Sequence, residues 1–319
     1  MLPDLKSTRL ALLAGATAMM LCQPAHSQEA QIAEDENGEE VMVITPDMIS
    51  REDSQVLNAP ADRQTATPDE AAPARPDSQA SIGAPSLMAI FAHPDDEITI
   101  APVLSRMART GGNVTLVFAT SGDVGPGVSG MQPGEELAAL REDEARCAAF
   151  ALGLDEPIFW QLGDGRLADL ARAPGSAANG LAERISALIA IEQPDIVMTW
   201  GPDGGYGHAD HRMVSNLVTQ IVQAMGVDRP DLLYSVLPAS AGGAEETPIP
   251  GFEGWARIDP SLATDRLRYE LRDLDATRIA VDCYQSQFDA TARTYLPELL
   301  HRDVWQGSVY FRLAFPRAE

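Results

Sequence analysis

The chain reads as an α/β protein, a Rossmann-like three-layer sandwich with a mostly parallel sheet and helices on both faces. Three observations predict this. From Ser86 onward, short apolar runs alternate with segments of helical periodicity, the pattern of strand–helix–strand units. The strand-like runs are almost continuously apolar rather than alternating, as strands covered on both faces are. Glycines stand where helical segments should stop, at Gly111-Gly112 and at Gly153.

The elements follow in order. Residues 87–91 (LMAIF) form the first buried strand, 98–109 a helix, and 114–119 the second strand. A helix over 135–152 leads to a strand at 158–160, then a helix at 181–191 and a strand at 196–200. A helix over 213–225 and a strand at 232–237 close the run. No internal repeat of fixed period is visible. In open parallel sheets, ligands bind beyond the carboxyl ends of the strands. The loops after Phe91, Ala119, Trp160 and Trp200 are therefore where a site is expected.

Residues before Ser86 have a different character. Lys6 and Arg9 precede an apolar run at 10–22, and Ala25-His26-Ser27 offers a small-x-small cleavage site. This predicts an export signal over residues 1–27, with Gln28 as the first mature residue. The apolar run is shorter than the ~20 residues of a membrane span. Leu21 before Cys22 does not suit lipidation. Residues 28–85 carry 13 acidic against three basic side chains and contain no Phe, Tyr or Trp. Such a stretch cannot bury enough apolar surface to offset its ordering entropy. It reads as an acidic disordered linker, with a short strand conceivable only at 41–44. Residues 86–319 form the folded domain.

Charge narrows the partners. With 23 Lys+Arg against 47 Asp+Glu, the formal net charge is −24, which repels phosphate backbones and argues against nucleic acid. Export predicts a periplasmic or secreted protein with no membrane span once the signal is removed. Cleavage leaves Cys147 and Cys283. An oxidising compartment permits a disulfide, but two cysteines so far apart in sequence do not establish one, and buried free thiols are expected.

Four histidines remain beyond the signal, and three of them lie in two of the strand-end loops. The first loop reads His93-Pro94-Asp95-Asp96-Glu97 and the second Tyr206-Gly207-His208-Ala209-Asp210-His211. A catalytic zinc takes three ligands from His and Asp/Glu and keeps one position open. His93 and Asp96, three apart, can face one point, and His211 or His208 can supply the third ligand. The hard carboxylate with two imidazoles is a hydrolase-type set rather than a structural one. The acidic run alone would suit the first turn of a helix. Two clusters at two strand ends favour a metal site.

These residues resemble the LmbE-like superfamily, also called PIG-L or N-acetylglucosaminyl deacetylases, over about residue 87 to the C-terminus. His-Pro-Asp-Asp-Glu after the first strand and His-x-Asp-His after a later one carry the likeness. Ser121-Gly122-Asp123, Arg141-Glu142 and Tyr284-Gln285-Ser286-Gln287 agree with it. The resemblance implies one Zn2+ per chain on His93, Asp96 and His211, with Asp95 as general base. It implies that His208 and Tyr206 stabilise the oxyanion, that His208 protonates the leaving amine, and that Asp210 tunes a neighbouring histidine. Arg141 and Asp164 fall where family members contact the sugar, although Arg141 could serve a solvated salt-bridging face and Asp164 a turn. Glu97 reads as structural.

The expected activity is hydrolysis of an N-acyl amide, first of all N-acetyl, on an amino sugar or glycoconjugate. The alternative is a zinc amidase acting on a thiol conjugate or an acylated lipid or peptide. A noncatalytic sugar-binding protein is disfavoured because the full residue set is present. Oligomeric state is not readable.

Overall fold

The structure is a computed structural model that describes residues 31–34, 40–43, 85–239 and 254–317. The expected signal segment and most of the expected linker lie outside the described residues. The chain divides into two units, residues 1–76 and 77–319. In the first, β1 (Gln31–Glu34) pairs antiparallel with β2 (Glu40–Val43), Gln31 opposite Val43.

The second unit carries the sheet. Its strands are β3 (Leu87–Phe91), β4 (Val114–Phe118), β5 (Ile158–Phe159), β6 (Ile196–Trp200), β7 (Asp231–Ser235), β8 (Asp265–Arg268) and β9 (Ser308–Leu313). They lie in the order β5-β4-β3-β6-β7-β9-β8. The first five are parallel, whereas β9 runs antiparallel to both of its neighbours.

Among the described residues, six helices cover the faces: α1 (Ala101–Arg109), α2 (Glu135–Leu152), α3 (Ala177–Glu192), α4 (Ala209–Ala224), α5 (Leu271–Cys283) and α6 (Ala290–Leu299). The central strand β3 shows why both faces need cover. Leu87, Ala89 and Phe91 point into a core shared with α1, α2 and α5. Met88 and Ile90 point into a second core with Leu181, Ile185 and Ile189 of α3 and Val214, Val218 and Val222 of α4. Alternate side chains of one strand thus feed opposite layers, the three-layer sandwich expected from the sequence. Truncating Phe91 to Ala in so closed a core should cost roughly 3–5 kcal/mol.

Several boundaries move for local reasons. The helix expected at 98–109 begins as a 3-10 turn over Asp96–Ile100 and becomes α-helical at Ala101, with a proline in its first turn. Helix α3 starts at Ala177 because the Ser176 side chain caps it, accepting from Asn179 N–H. Helix α4 starts at Ala209 because the His208 ring caps it.

The expectation of free thiols is corrected. Cys147 on α2 and Cys283 at the end of α5 form a disulfide, with their Cα atoms 5.8 Å apart. Helices α2 and α5 share one core, and that packing brings together two residues separated by 136 positions.

Candidate active site

From β3 the sheet grows one way through β4 and β5 and the other way through β6 and β7. Such a switch point leaves a crevice at the carboxyl ends of the two central strands. The loop leaving β3 delivers His93, Asp95, Asp96 and Glu97. The loop leaving β6 delivers Tyr206, His208, Asp210 and His211.

His93 Nδ1 lies 3.1 Å from His211 Nε2, and His211 Nε2 lies 3.2 Å from Asp96 Oδ1. The other atom of each group is engaged away from this point. Asp96 Oδ2 accepts from the Ala92 and His93 N–H groups and from Trp200 Nε1–H, all at 3.0 Å. His211 Nδ1 lies 3.1 Å from the Gly204 carbonyl. His93 Nε2 stands 2.9 Å from Asp164 and 3.4 Å from Asp210, neither well in line for a hydrogen bond. These acceptors draw the ring protons to His93 Nε2 and His211 Nδ1. His211 Nε2 thus stands close to both His93 Nδ1 and Asp96 Oδ1, whereas His93 Nδ1 reaches Asp96 Oδ2 only at 3.9 Å; among the described residues, the groups close enough together to hold one ion are His93, His208 and His211, and His93, Asp164 and Asp210. Metal–nitrogen bonds of about 2.0–2.1 Å place tetrahedral donors roughly 3.3–3.5 Å apart, close to the two spacings at His211 Nε2, 3.1 and 3.2 Å.

The field around the cluster favours positive charge. Burial works against protonated His93, but the close carboxylates of Asp164, Asp210 and Asp96 outweigh it and carry the ring up to about 10. Burial likewise opposes the Asp96 carboxylate, yet the charge and hydrogen bond of His211 pull it well below the usual carboxylate range. The same negative charge would favour a metal cation, and a carboxylate behind an imidazole is the usual support for a histidine ligand. The Trp200 indole fixes the second ring by stacking on His211 at 4.6 Å, 4° from parallel.

Asp95 points beside the cluster from a left-handed backbone, φ 95°, a conformation that costs a non-glycine residue about 1–3 kcal/mol. Three contacts hold it. Its N–H donates to Glu97 Oε2 at 3.1 Å, and the Arg141 guanidinium meets its carboxylate at 3.1 Å and the Pro94 carbonyl at 2.7 Å. Burial raises the Asp95 carboxyl to about 6 against the opposing charge of Arg141. Glu97, buried and raised to about 8 chiefly by that burial, also accepts from Tyr284 Oη at 2.6 Å. These two bonds brace the loop.

His208 lies near both His93 and His211, its ring centroid 4.7 Å from each. Its Nδ1 accepts from the Asp210 N–H, so the neutral ring carries its proton on Nε2. Burial, then the charges of His93 and His211, lower its pKa. Tyr206 is half exposed and stands edge-on to His211. Asp210 is fully buried; it accepts from the Gly165 and Leu167 N–H groups as well as facing His93.

Arg141 and Asp164, expected at the substrate, both lie next to the cluster. Both are buried, at 4 % and 7 % exposure. Arg141 engages Asp95 and the carbonyls of Pro94, Gly122 and Gly125, while Asp164 engages His93 and Val124 N–H. Sequence reasoning did not anticipate Trp200 as the partner of Asp96. A tryptophan ending a strand that points into the site loops was the available signal.

A profile of the family described as "PIG-L: GlcNAc-PI de-N-acetylase" matches residues 88–222, from β3 to α4, including both histidine loops. A 1D-myo-inositol 2-acetamido-2-deoxy-alpha-D-glucopyranoside deacetylase of Saccharomonospora viridis is 33% identical over 233 residues, 67% of this chain and 85% of the relative. The chain belongs to the PIG-L, or LmbE-like, family. The family is one of hydrolytic deacetylases. A deacetylase of the same description from Corynebacterium diphtheriae is 32% identical over 54% of this chain, which spans 64% of that relative's length. The N,N'-diacetylchitobiose deacetylase of Pyrococcus horikoshii superposes with a TM-score of 0.51 at 19% identity, covering 72% of this chain and 83% of that one. At that identity the likeness extends to the PIG-L fold alone.

Proposed function

We propose that this PIG-L protein hydrolyses an N-acyl amide on an amino sugar or glycoconjugate, using a zinc ion held by His93 Nδ1, Asp96 Oδ1 and His211 Nε2. The observation that carries the proposal is the close approach of His93 and Asp96 to His211 Nε2, beside a restrained carboxylate, Asp95. The sugar-amide deacetylases among the relatives support the substrate class.

When bound, the ion supplies Lewis acidity toward a carbonyl oxygen and makes water a competent nucleophile near neutral pH. The protein's own groups do the rest. Asp95, oriented by Arg141, accepts the proton of the attacking water. His208 Nε2–H and Tyr206 Oη–H donate to the carbonyl oxygen as it gains charge. His208 then passes its proton to the nitrogen, because an amine leaves poorly unless protonated. Asp164 and Asp210 hold the His93 ring in orientation.

The decisive experiment measures bound metal and amine release together. The purified full chain should hold about one zinc per chain and release amine from N-acylated amino sugars. His93→Ala and Asp96→Ala should lose both metal and turnover; full metal retention in both variants would sink the assignment. Export to an oxidising compartment belongs to the same proposal and is supported by the Cys147–Cys283 disulfide. No helix among the described residues is long and apolar enough to cross a membrane.

A further inference from the structure

Beside the donor cluster opens a cavity of about 840 Å3, bounded at its inner end by Asp95, Asp96 and Tyr206. Its wall is apolar and continuous with the site. Trp255 bridges the gap, its ring 5.7 Å from Trp200 and 5.5 Å from Tyr206. Beyond it, Phe288, Ala292, Tyr295, Leu296 and Leu299 line the cavity. Ala292, Tyr295, Leu296 and Leu299 recur at the spacing of one helical face, so α6 borders this space with a stripe that also packs against the core through Leu296 and Leu299. Tyr295 on that stripe remains 60 % exposed.

Two features define what the cavity receives. An acetyl group occupies only a small part of a space in the range of whole ligand sites, ~300–1,000 Å3. Among the described residues that line it there is no Lys, Arg or His, while Asp95, Asp96 and Asp289 are present. A terminal anion would meet repulsion with no compensating partner. The other loops at His93 are polar: Asp164 faces its Nε2, and Asp123 accepts from the Asp164 N–H. A hydroxyl-rich amine suits these loops. An amide lying across the cluster then directs its acyl half into the cavity.

We propose that the preferred substrate carries an extended, uncharged apolar acyl chain on its amide nitrogen and that this cavity binds the chain. The inference rests on the amide-hydrolase reading above and adds the acyl class to it. In the reaction, the oxygen of water bonds to the carbonyl carbon and the C–N bond breaks. The nitrogen takes a proton and leaves as the amine, and the acyl half departs as a long-chain carboxylate.

The test uses the zinc-loaded full chain and kcat/KM for amine release. One series is N-acylglucosamines from acetyl to octanoyl; the other is octyl glucosaminide bearing an N-acetyl group. At about half of the ~0.8 kcal/mol per buried methylene, the six added methylenes of octanoyl raise kcat/KM roughly 60-fold over acetyl. A carboxylate on the far end of the octanoyl chain should abolish that gain. Ala292→Trp, which fills the cavity, should lower the octanoyl-to-acetyl ratio at least about tenfold; Leu296→Asp provides a second, independent obstruction. Equal or better hydrolysis of the acetyl compound overturns the inference and leaves the amidase reading standing. So does a gain from the octyl glycoside without one from the octanoyl amide, since it moves the apolar group to the amine half. No amine release from any member, with zinc bound, overturns the amidase reading itself and the inference with it.

Discussion

The two walls of the site are built differently. The wall from the β3 loop is polar and immobilised: Asp96 has three N–H donors on one oxygen, Asp95 is clamped by Arg141, and Glu97 is bonded to Tyr284. The wall from Trp255 and α6 is mostly apolar, its lining including Phe288, Leu296 and Leu299. The first lies inside the stretch matched by the family profile, residues 88–222, and the second lies outside it. Bond breaking depends on angles and distances set to a fraction of an ångström, which calls for a tied network. Choice of acyl group depends on shape and wetness, which an apolar wall can change without disturbing the chemistry.

The largest effects should come from breaking the polar wall. Asp95→Asn and His208→Ala should retain zinc yet lower kcat about 10²–10⁴-fold, the usual contribution of a positioned acid or base. Metal analysis beside amine-release kinetics checks this, and near-normal turnover in folded, metal-replete protein would place the chemistry elsewhere. A smaller effect should follow Trp200→Phe. It keeps a ring against His211 but removes the donor to Asp96, so zinc affinity should fall about 10–100-fold. Chelator competition measures that, and unchanged affinity would mean the indole hydrogen bond contributes only packing.

The smallest effect on rate should come from the remote disulfide. Cys147→Ala/Cys283→Ala should lower unfolding stability by about 2–5 kcal/mol while leaving kcat within a factor of two in folded protein. Denaturant unfolding and steady-state kinetics decide it. In protein taken from its native envelope fraction, both thiols should resist alkylation and the first residue should lie near Gln28. A reduced pair in a cytoplasmic pool would remove the export proposal.

Legibility from sequence divides along the same line. The strands of β3 to β7 were readable because burial on both faces makes them continuously apolar, and two strand-end loops concentrated three of the histidines. The clamp on Asp95 was not readable: Arg141 sits in a run of charges on α2, and only the crossing of α2 behind the 122–125 loop reveals that it is buried. The antiparallel edge was missed for a related reason. β8 reads Asp-Arg-Leu-Arg, polar because it is an edge, and α5 hides the fully buried Asp273 paired with Arg109, which breaks an apolar pattern. The disulfide depended on the α2–α5 contact, information that spacing in the chain does not hold.

The placement of β9 has a consequence for biosynthesis. The last described strand in chain order occupies an interior position, between β7 and β8. Until residues 308–313 have emerged and inserted, β7 presents an unpaired ladder and β8 has no neighbour. A nascent or prematurely stopped chain therefore carries an open strand edge of the kind that recruits other chains. Its survival depends on whatever shields that edge before synthesis is complete.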